Sequence, residues 1–222
     1  MRPLQITQRL REEASSIWNK IFKHPFVVEL FKGSLPIEKF RYYVIQDYNF
    51  LIGMTKAFSL LASKAYDYEL LREALSLAYS DATIEMDNYL KLLDKLDLTI
   101  EDVLNTEPAP TNTAYVNHIL STCSLGTSIE CLVSTLPCFW TYMEIPRVNN
   151  DLIMENKNPI YIEWINTYRS KEYIELTTKL INLVDKYAEH IDYNKLKRIF
   201  ILSSRYEYMF WDMAYNMEKW PV

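Results

Sequence analysis

The sequence predicts an all-α protein, a bundle of long packed helices in a single domain of residues 1–222. Apolar residues recur at steps of three and four along nearly the whole chain, as one face of a helix requires. No useful length of the chain alternates apolar and polar residues, as a half-buried strand would. Only 3 of the 222 residues are glycines, so neither a dinucleotide-binding glycine loop nor a P-loop can be assembled.

The first part of the chain predicts three long helices, over residues 4–22, 36–65 and 66–96. Gly33 and Ser34 separate the first helix from the second. Pro36 suits the first turn of the second helix, because the N–H that proline lacks would have no helical partner there. Thr99 is a candidate N-cap for a short helical turn after the third helix.

The rest of the chain predicts five further helices, after a loop at residues 105–112 that contains Pro108 and Pro110. Pro146 and Pro159 are expected to separate some of these helices from their neighbours. The predicted ranges are 113–124, 127–145, 160–168, 171–188 and 192–217. No internal repeat, low-complexity tract or linker is found that would divide the chain.

Charge and hydropathy exclude several classes of protein. The chain has 24 basic and 29 acidic residues, a formal net charge of −5, and no basic run. Binding to nucleic acid or to a membrane surface is therefore not expected. The first nine residues lack the apolar core of a signal peptide, and no apolar run reaches membrane-spanning length. A cytoplasmic location is expected.

The cysteines and histidines do not predict a metal site. Cys123, Cys131 and Cys138 form no CxxC pair, and we expect free thiols in a reducing compartment rather than a disulfide framework. A di-iron site in a helical bundle needs Glu-x-x-His motifs. None of the three histidines has a glutamate three residues before it, and His24, before Pro25, is expected to make local contacts. No metal or other cofactor is predicted.

Cys138 directly follows Pro137 inside a run that otherwise reads as a buried helix. A proline there removes a backbone hydrogen bond and predicts a kink just before the cysteine. The kink would present the thiol and Tyr142, one turn later, to a common space. The alternative is ordinary packing, since a mid-helix cysteine is usually a small buried hydrophobe.

Asp47 and Glu207 are acids whose sequence neighbours are mostly aromatic or aliphatic. Burial of a charge is costly, so each acid must be paired, hydrogen-bonded or raised in pKa. An ion pair, for example with Arg41 or Arg205, is the structural interpretation, and proton transfer at an active site is the functional one. An aromatic follows each acid by three residues, which suits a pocket for a small heteroaromatic ligand.

These residues together resemble the TenA/thiaminase II family over essentially the whole chain. The stretches that carry the resemblance, in this order, are His24–Phe26, Phe40–Tyr48, Pro137–Trp140 and Phe210–Tyr215. The resemblance implies a haem-oxygenase-like helical fold that binds no haem, and a homotetramer. It also implies hydrolysis of 4-amino-5-aminomethyl-2-methylpyrimidine to the hydroxymethyl-pyrimidine and ammonia in thiamine salvage, or cleavage of thiamine itself.

The resemblance also implies roles for particular residues. Cys138 would be the nucleophile and places the chain in the cysteine-bearing branch of the family. Asp47 would hold a pyrimidine ring nitrogen, and Glu207 would act on the amino side and in proton transfer. The residues expected to line the pocket are Phe50, Tyr115, Tyr142, Tyr168 and Phe210.

Two other functions remain open from the sequence. One is a cofactor-free oxidase on a similar fold, of the type that completes synthesis of a quinone cofactor. Such an enzyme would need several histidines and arginines around a polyacid, and this chain has only 3 histidines. The other is a non-catalytic pyrimidine-binding or interaction protein, which would need no nucleophile.

Overall fold

A computed structural model describes residues 5–222 as helices and short connections. Leu4, where the first predicted helix begins, lies outside this range. Twelve α-helices and no strand are found within 5–222, so the all-α prediction is confirmed. The helices are α1 Ile6–Glu13, α2 Ser15–Phe22, α3 Pro25–Lys32, α4 Ile37–Ser63, α5 Tyr68–Ser80, α6 Met86–Lys95, α7 Ile100–Leu104, α8 Pro110–Leu125, α9 Ser128–Val148, α10 Pro159–Arg169, α11 Lys171–Tyr187 and α12 Tyr193–Asn216.

The described chain forms two compact units. The first comprises residues 5–35 and Leu132–Trp211, and the second comprises Pro36–Cys131 and Asp212–Val222. The prediction that residues 1–222 make a single domain stays a prediction. No described helix is long and apolar enough to cross a membrane.

The start of the chain differs from the predicted single helix over residues 4–22. Helices α1 and α2 meet at Ala14, and α3 is a further helix that the sequence did not predict. His24 begins α3 as its N-cap, where its Nδ1 accepts a hydrogen bond from the Phe26 N–H at 3.2 Å. This local contact confirms the expectation for His24. Gly33 ends α3 with φ of +76°, a left-handed conformation that favours glycine.

Trp18 of α2 holds helices α9 and α12 of the first unit together. Its side chain is fully buried, and its Nε1 donates to the Ser204 hydroxyl of α12 at 3.0 Å. Its ring stacks on Phe200 of α12 and meets Trp140 of α9 edge to face, with centroids 5.9 and 5.6 Å apart. One tryptophan therefore holds α9 and α12 in register by both packing and a hydrogen bond.

Helix α9 does not end where the sequence predicted. The Thr127 hydroxyl caps its start by accepting a hydrogen bond from the Glu130 N–H at 3.3 Å. The predicted end at residue 145, before Pro146, is wrong, because both Pro137 and Pro146 lie inside the helix. The kink before Cys138 stays a prediction.

In the second unit, a π-helical turn over Asp81–Glu85 joins α5 to α6. The side chains that face inward from this stretch are spaced mostly by four residues: Leu70, Ala74, Leu77, Asp81, Glu85, Tyr89 and Leu93. A four-residue step in an α-helix drifts by about 40°, so a long series of such steps would leave the buried face. The wider π turn takes up that drift, and Tyr89 stays buried.

Two acids occupy inward positions on this π turn. The Thr55 hydroxyl of α4 donates to Asp81. Burial raises the pKa of Asp81 to about 7, opposed by the Thr55 bond and assisted by the charge of Glu85. Burial also raises the pKa of Glu85. Burial at this π turn therefore favours the neutral form of both carboxyl groups.

A disulfide joins Cys123 of α8 to Cys131 of α9 across the short connection between them. The expectation that all three cysteines are free thiols is therefore wrong, and of the three only Cys138 forms no disulfide. No sequence motif predicted this pairing, because the two cysteines come together only through the turn that joins α8 to α9. Gly126 lies in that turn, where an added Cβ would meet the Thr122 carbonyl oxygen at 2.6 Å.

Reduction of this disulfide should lower the free energy of unfolding by about 2 kcal/mol, because the bond restricts a short loop of the unfolded chain. Thermal unfolding with and without reductant measures the effect, and the Cys123→Ser/Cys131→Ser variant should lose it. The Cys138→Ser variant, which leaves the disulfide in place, should keep it. Alkylation of all three cysteines in the denatured protein without reductant would contradict the pairing.

Candidate active site

The structure places the predicted site residues on two sets of elements, one in each unit. The first unit carries Cys138, Tyr142, Tyr168, Glu207 and Phe210, and the second carries Asp47, Phe50 and Tyr115. All three ionisable residues are at least half-buried, as their apolar neighbours predicted.

In the first unit, the Thr141 side chain lies between the backbone of the candidate nucleophile and the side chain of the candidate acid. Its hydroxyl lies 3.3 Å from the Cys138 carbonyl oxygen and 3.5 Å from Glu207 Oε2. A hydroxyl has one hydrogen, so the two acceptors share it. Glu207 is only 3% exposed, whereas Cys138 is partly open. Cys138 is thus a partly exposed thiol on α9, the helix whose Thr141 side chain lies near the buried Glu207 of α12.

An aromatic cluster adjoins this pair. Tyr142 lies one turn after Cys138, and its ring centroid is 4.8 Å from Tyr168, 5.1 Å from Trp211 and 5.8 Å from Trp164. Trp164 in turn meets Tyr168 edge to face at 4.6 Å. The structure therefore brings Tyr142 and Tyr168 together, as expected. Phe210 follows Glu207 on α12 and is buried.

Sequence reasoning missed Thr141, Trp164 and Trp211. Trp164 precedes Tyr168 by one helical turn, which is a usable signal that both face one way. Trp211 follows the expected pocket residue Phe210 directly, and adjacent residues in a helix do not share a face. Thr141 looks like an ordinary helix-interior threonine, and only the packing of α9 on α12 shows its second acceptor.

In the second unit, Asp47 lies on α4 and is half-buried. Phe50 follows it on the same helix and packs on Tyr115 of α8, with ring centroids 5.0 Å apart. Tyr115 is fully buried and Phe50 is 6% exposed. Helix α4 thus carries Asp47 and, three residues later, an aromatic ring that packs on Tyr115.

Buried amides fix the position of α4 beside Asp47. Gln46 Oε1 accepts from the Ala109 N–H at 2.8 Å and from Asn112 Nδ2 at 2.9 Å. Asn112 Nδ2 also donates to the Gln46 carbonyl at 2.7 Å. These bonds hold the start of α8 against α4. The residue next to Asp47 is therefore fixed by interactions that tolerate little movement.

The structural interpretation of Asp47 as a partner of Arg41 is not supported. Arg41 Nε donates to the Leu96 carbonyl at 3.0 Å, and its guanidinium lies 3.6 Å from Asp97. Arg205 is exposed on α12. Neither arginine is placed as the sequence-based ion-pair interpretation required.

A cavity of about 750 Å³ lies elsewhere on the first unit. Its walls include Trp140, Glu144 and Arg147 of α9, on a different face of that helix from Cys138. Glu144 is paired there with Arg11 at 2.7 Å. Tyr168 lines this cavity and also contacts Tyr142, so it is shared with the aromatic cluster.

The side chains on these elements supply a thiol, carboxylates and flat aromatic faces. They can stack on a ring, hydrogen-bond its nitrogens and add a nucleophile. Within residues 5–222 no group of three or more histidine, cysteine or acidic side chains is placed to hold a metal ion.

Residues 11–217 match the TENA/THI-4/PQQC family. The chain belongs to this family. It is 34% identical to the aminopyrimidine aminohydrolase of Halalkalibacterium halodurans, over 95% of this chain and 96% of that protein. It is also 34% identical to the aminopyrimidine aminohydrolase of Helicobacter pylori, over 96% of this chain and the whole of that protein. The resemblance drawn from the sequence motifs is confirmed.

Solved structures agree with the fold. The TenA homologue from P. horikoshii is 46% identical and superposes with a TM-score of 0.93, over 96% of this chain and 99% of that one. A domain with a heme oxygenase-like fold from Shewanella denitrificans is 14% identical, with a TM-score of 0.78 over 95% of this chain and 92% of that one. The predicted haem-oxygenase-like architecture is therefore confirmed.

Proposed function

We propose that this protein hydrolyses 4-amino-5-aminomethyl-2-methylpyrimidine to the hydroxymethyl-pyrimidine and ammonia, a step of thiamine salvage. The observation that carries the proposal is the contact of Thr141, three residues after the partly open Cys138, with the buried Glu207. Full-length relatives named aminopyrimidine aminohydrolase support the substrate class. A cytoplasmic location, which suits a salvage enzyme, stays part of the proposal.

Cys138 is the nucleophile in this proposal. Its thiolate adds to the pyrimidine ring, and the electrons of the ring expel the amine from the exocyclic carbon. Water then adds to that carbon, and departure of the thiolate restores the aromatic ring. Covalent catalysis of this kind divides one difficult displacement into easier steps.

The two acids have different tasks. Asp47 binds a ring nitrogen and makes the ring more electrophilic, while Glu207 donates the proton that the departing amine requires. Phe50, Tyr115, Tyr142, Tyr168 and Phe210 would bind the flat ring. Neither task needs a cofactor.

The leaving group is proposed to be the small amine rather than the thiazolium of thiamine. Both substrates share the pyrimidine, so discrimination must come from the space beyond the exocyclic carbon. Salvage of a damaged precursor also benefits a cell more than destruction of a finished cofactor. Ammonia release from aminomethyl-pyrimidine by the purified protein tests the function, and a higher kcat/KM for thiamine would refute the preference.

The oxidase and the binding-protein alternatives gain no specific support. His24 caps α3, and its ring meets the ring of Tyr208 edge to face with centroids 5.3 Å apart. Burial lowers the pKa of His118 on α8. Neither arrangement resembles a cluster of cationic residues for a polyacid.

Replacement of Cys138 by alanine should lower kcat by several orders of magnitude, because the covalent route is lost. The Cys123→Ser/Cys131→Ser variant should keep its activity at a temperature where it stays folded. Ammonia release assays on both variants, with unfolding curves as the control, make the comparison. The nucleophile assignment fails if Cys138→Ala retains more than about a tenth of the wild-type activity.

Asp47→Asn and Glu207→Gln should affect different kinetic constants. Asp47→Asn should mainly raise KM, because a ring-nitrogen partner acts in both the ground and the transition state. Glu207→Gln should mainly lower kcat, because proton transfer matters only in the transition state. Steady-state kinetics separates the two, and an equal rise in KM with unchanged kcat in both variants would contradict the division.

We propose that the protein is a homotetramer. Support comes from the exposed apolar side chains of α5: Tyr68 is 77%, Leu75 54% and Tyr79 71% exposed, on one face of the helix. Light scattering should give four times the 26.4 kDa of one chain. Tyr68→Ser/Tyr79→Ser should lower that mass, while Met154→Ser, at another exposed apolar residue, should not. A monomeric wild-type protein at micromolar concentration would overturn the proposal.

A further inference from the structure

Tyr89 of α6 contacts the turn of α4 that carries Asp47. It is only 4% exposed, and its hydroxyl donates to the Val44 carbonyl oxygen at 2.9 Å. In an α-helix that carbonyl also accepts the N–H of residue 48, so it belongs to the turn that contains Asp47. The ring of Tyr89 lies 5.8 Å from the ring of Tyr48. Tyr89 thus holds this turn by a hydrogen bond and by ring packing.

The Tyr89 hydroxyl interacts electrostatically with Asp47. Burial raises the pKa of Tyr89, and the negative charge of Asp47 raises it further. A buried tyrosine hydroxyl needs a hydrogen-bond partner, whereas phenylalanine would fill nearly the same volume without one. The carbonyl it binds has a helical partner already, so satisfying that carbonyl does not explain the hydroxyl.

The π turn over Asp81–Glu85 is what directs Tyr89 at α4. Tyr89 lies four residues beyond Glu85, at the position where an uninterrupted α-helix would have drifted off the buried face. π-helical turns occur frequently at functional sites. Here the irregular turn places the phenol of Tyr89 against the turn of α4 that contains Asp47.

We infer that Tyr89 is a positioning residue that sets the orientation of Asp47 for pyrimidine binding. The inference rests on the proposed function and assigns a further residue to it. Asp47 can bind a ring nitrogen well only if its turn of α4 is held still, because a misplaced carboxylate loses the alignment that a hydrogen bond needs. Tyr89 acts on the substrate only through Asp47.

The test is a double-mutant cycle on binding of the hydroxymethyl-pyrimidine product, measured by calorimetry. Tyr89→Phe should weaken binding about ten-fold in the wild-type background and less than about two-fold in the Asp47→Asn background, because the effect passes through that carboxylate. Thermal unfolding of each variant establishes that it is folded.

Tyr161→Phe is the matched control. Tyr161 of α10 is fully buried, and its hydroxyl donates to the Leu35 carbonyl at 2.8 Å, so this variant loses the same kind of bond between residues of the first unit. It should leave binding unchanged in both backgrounds. Equal losses for Tyr89→Phe in both backgrounds, or no loss in either, would refute the inference.

Failure of the proposed function is distinguishable from failure of this inference. Pyrimidine binding without ammonia release would refute hydrolysis, while the cycle would still test Tyr89. Ammonia release together with equal losses in both backgrounds would refute the role of Tyr89 alone. A wild-type protein that binds no pyrimidine would overturn both.

Discussion

The burial of the Glu207 carboxylate is the constraint on which the candidate chemistry depends. Burial of a carboxyl group to 3% exposure is costly unless polar groups hydrogen-bond to it. The Thr141 hydroxyl is one such group. That contact requires α9 and α12 to keep one register, which Trp18 secures by packing and through Ser204. The same register sets α9, which carries Cys138 and Tyr142, against α12, which carries Glu207. Stability and reactivity in the first unit therefore share one packing arrangement.

In the second unit, different interactions hold the turn of α4 that carries Asp47. Asp47 sits in an apolar stretch of α4, and amide hydrogen bonds from Gln46 and Asn112 fix the backbone next to it. The π turn before α6 adds the phenol of Tyr89 on another side of the helix. Irregular backbone and buried polar groups are typical of functional sites, where local structure departs from the most stable choice.

The sequence predicted the helical class and most helix ranges because apolar periodicity is a local property. The apolar neighbours of Asp47 and Glu207 likewise predicted that both acids are at least half-buried. The Cys123–Cys131 bond, the Thr141 contacts and the π turn were not predictable in this way, since each depends on how elements separated in the chain or joined by a tight turn meet in space. Pro146 shows the limit of a local rule, because a proline near a helix end did not terminate the helix.

The rate at which iodoacetamide alkylates Cys138 tests the central claim most directly. If the thiol lies where the pyrimidine binds, hydroxymethyl-pyrimidine should slow alkylation in a saturable way, and the concentration for half-protection should match the calorimetric Kd. Peptide mapping assigns the modified residue, and Asp47→Asn should require more pyrimidine for the same protection. Alkylation of Cys138 at an unchanged rate in the presence of saturating pyrimidine would contradict the account.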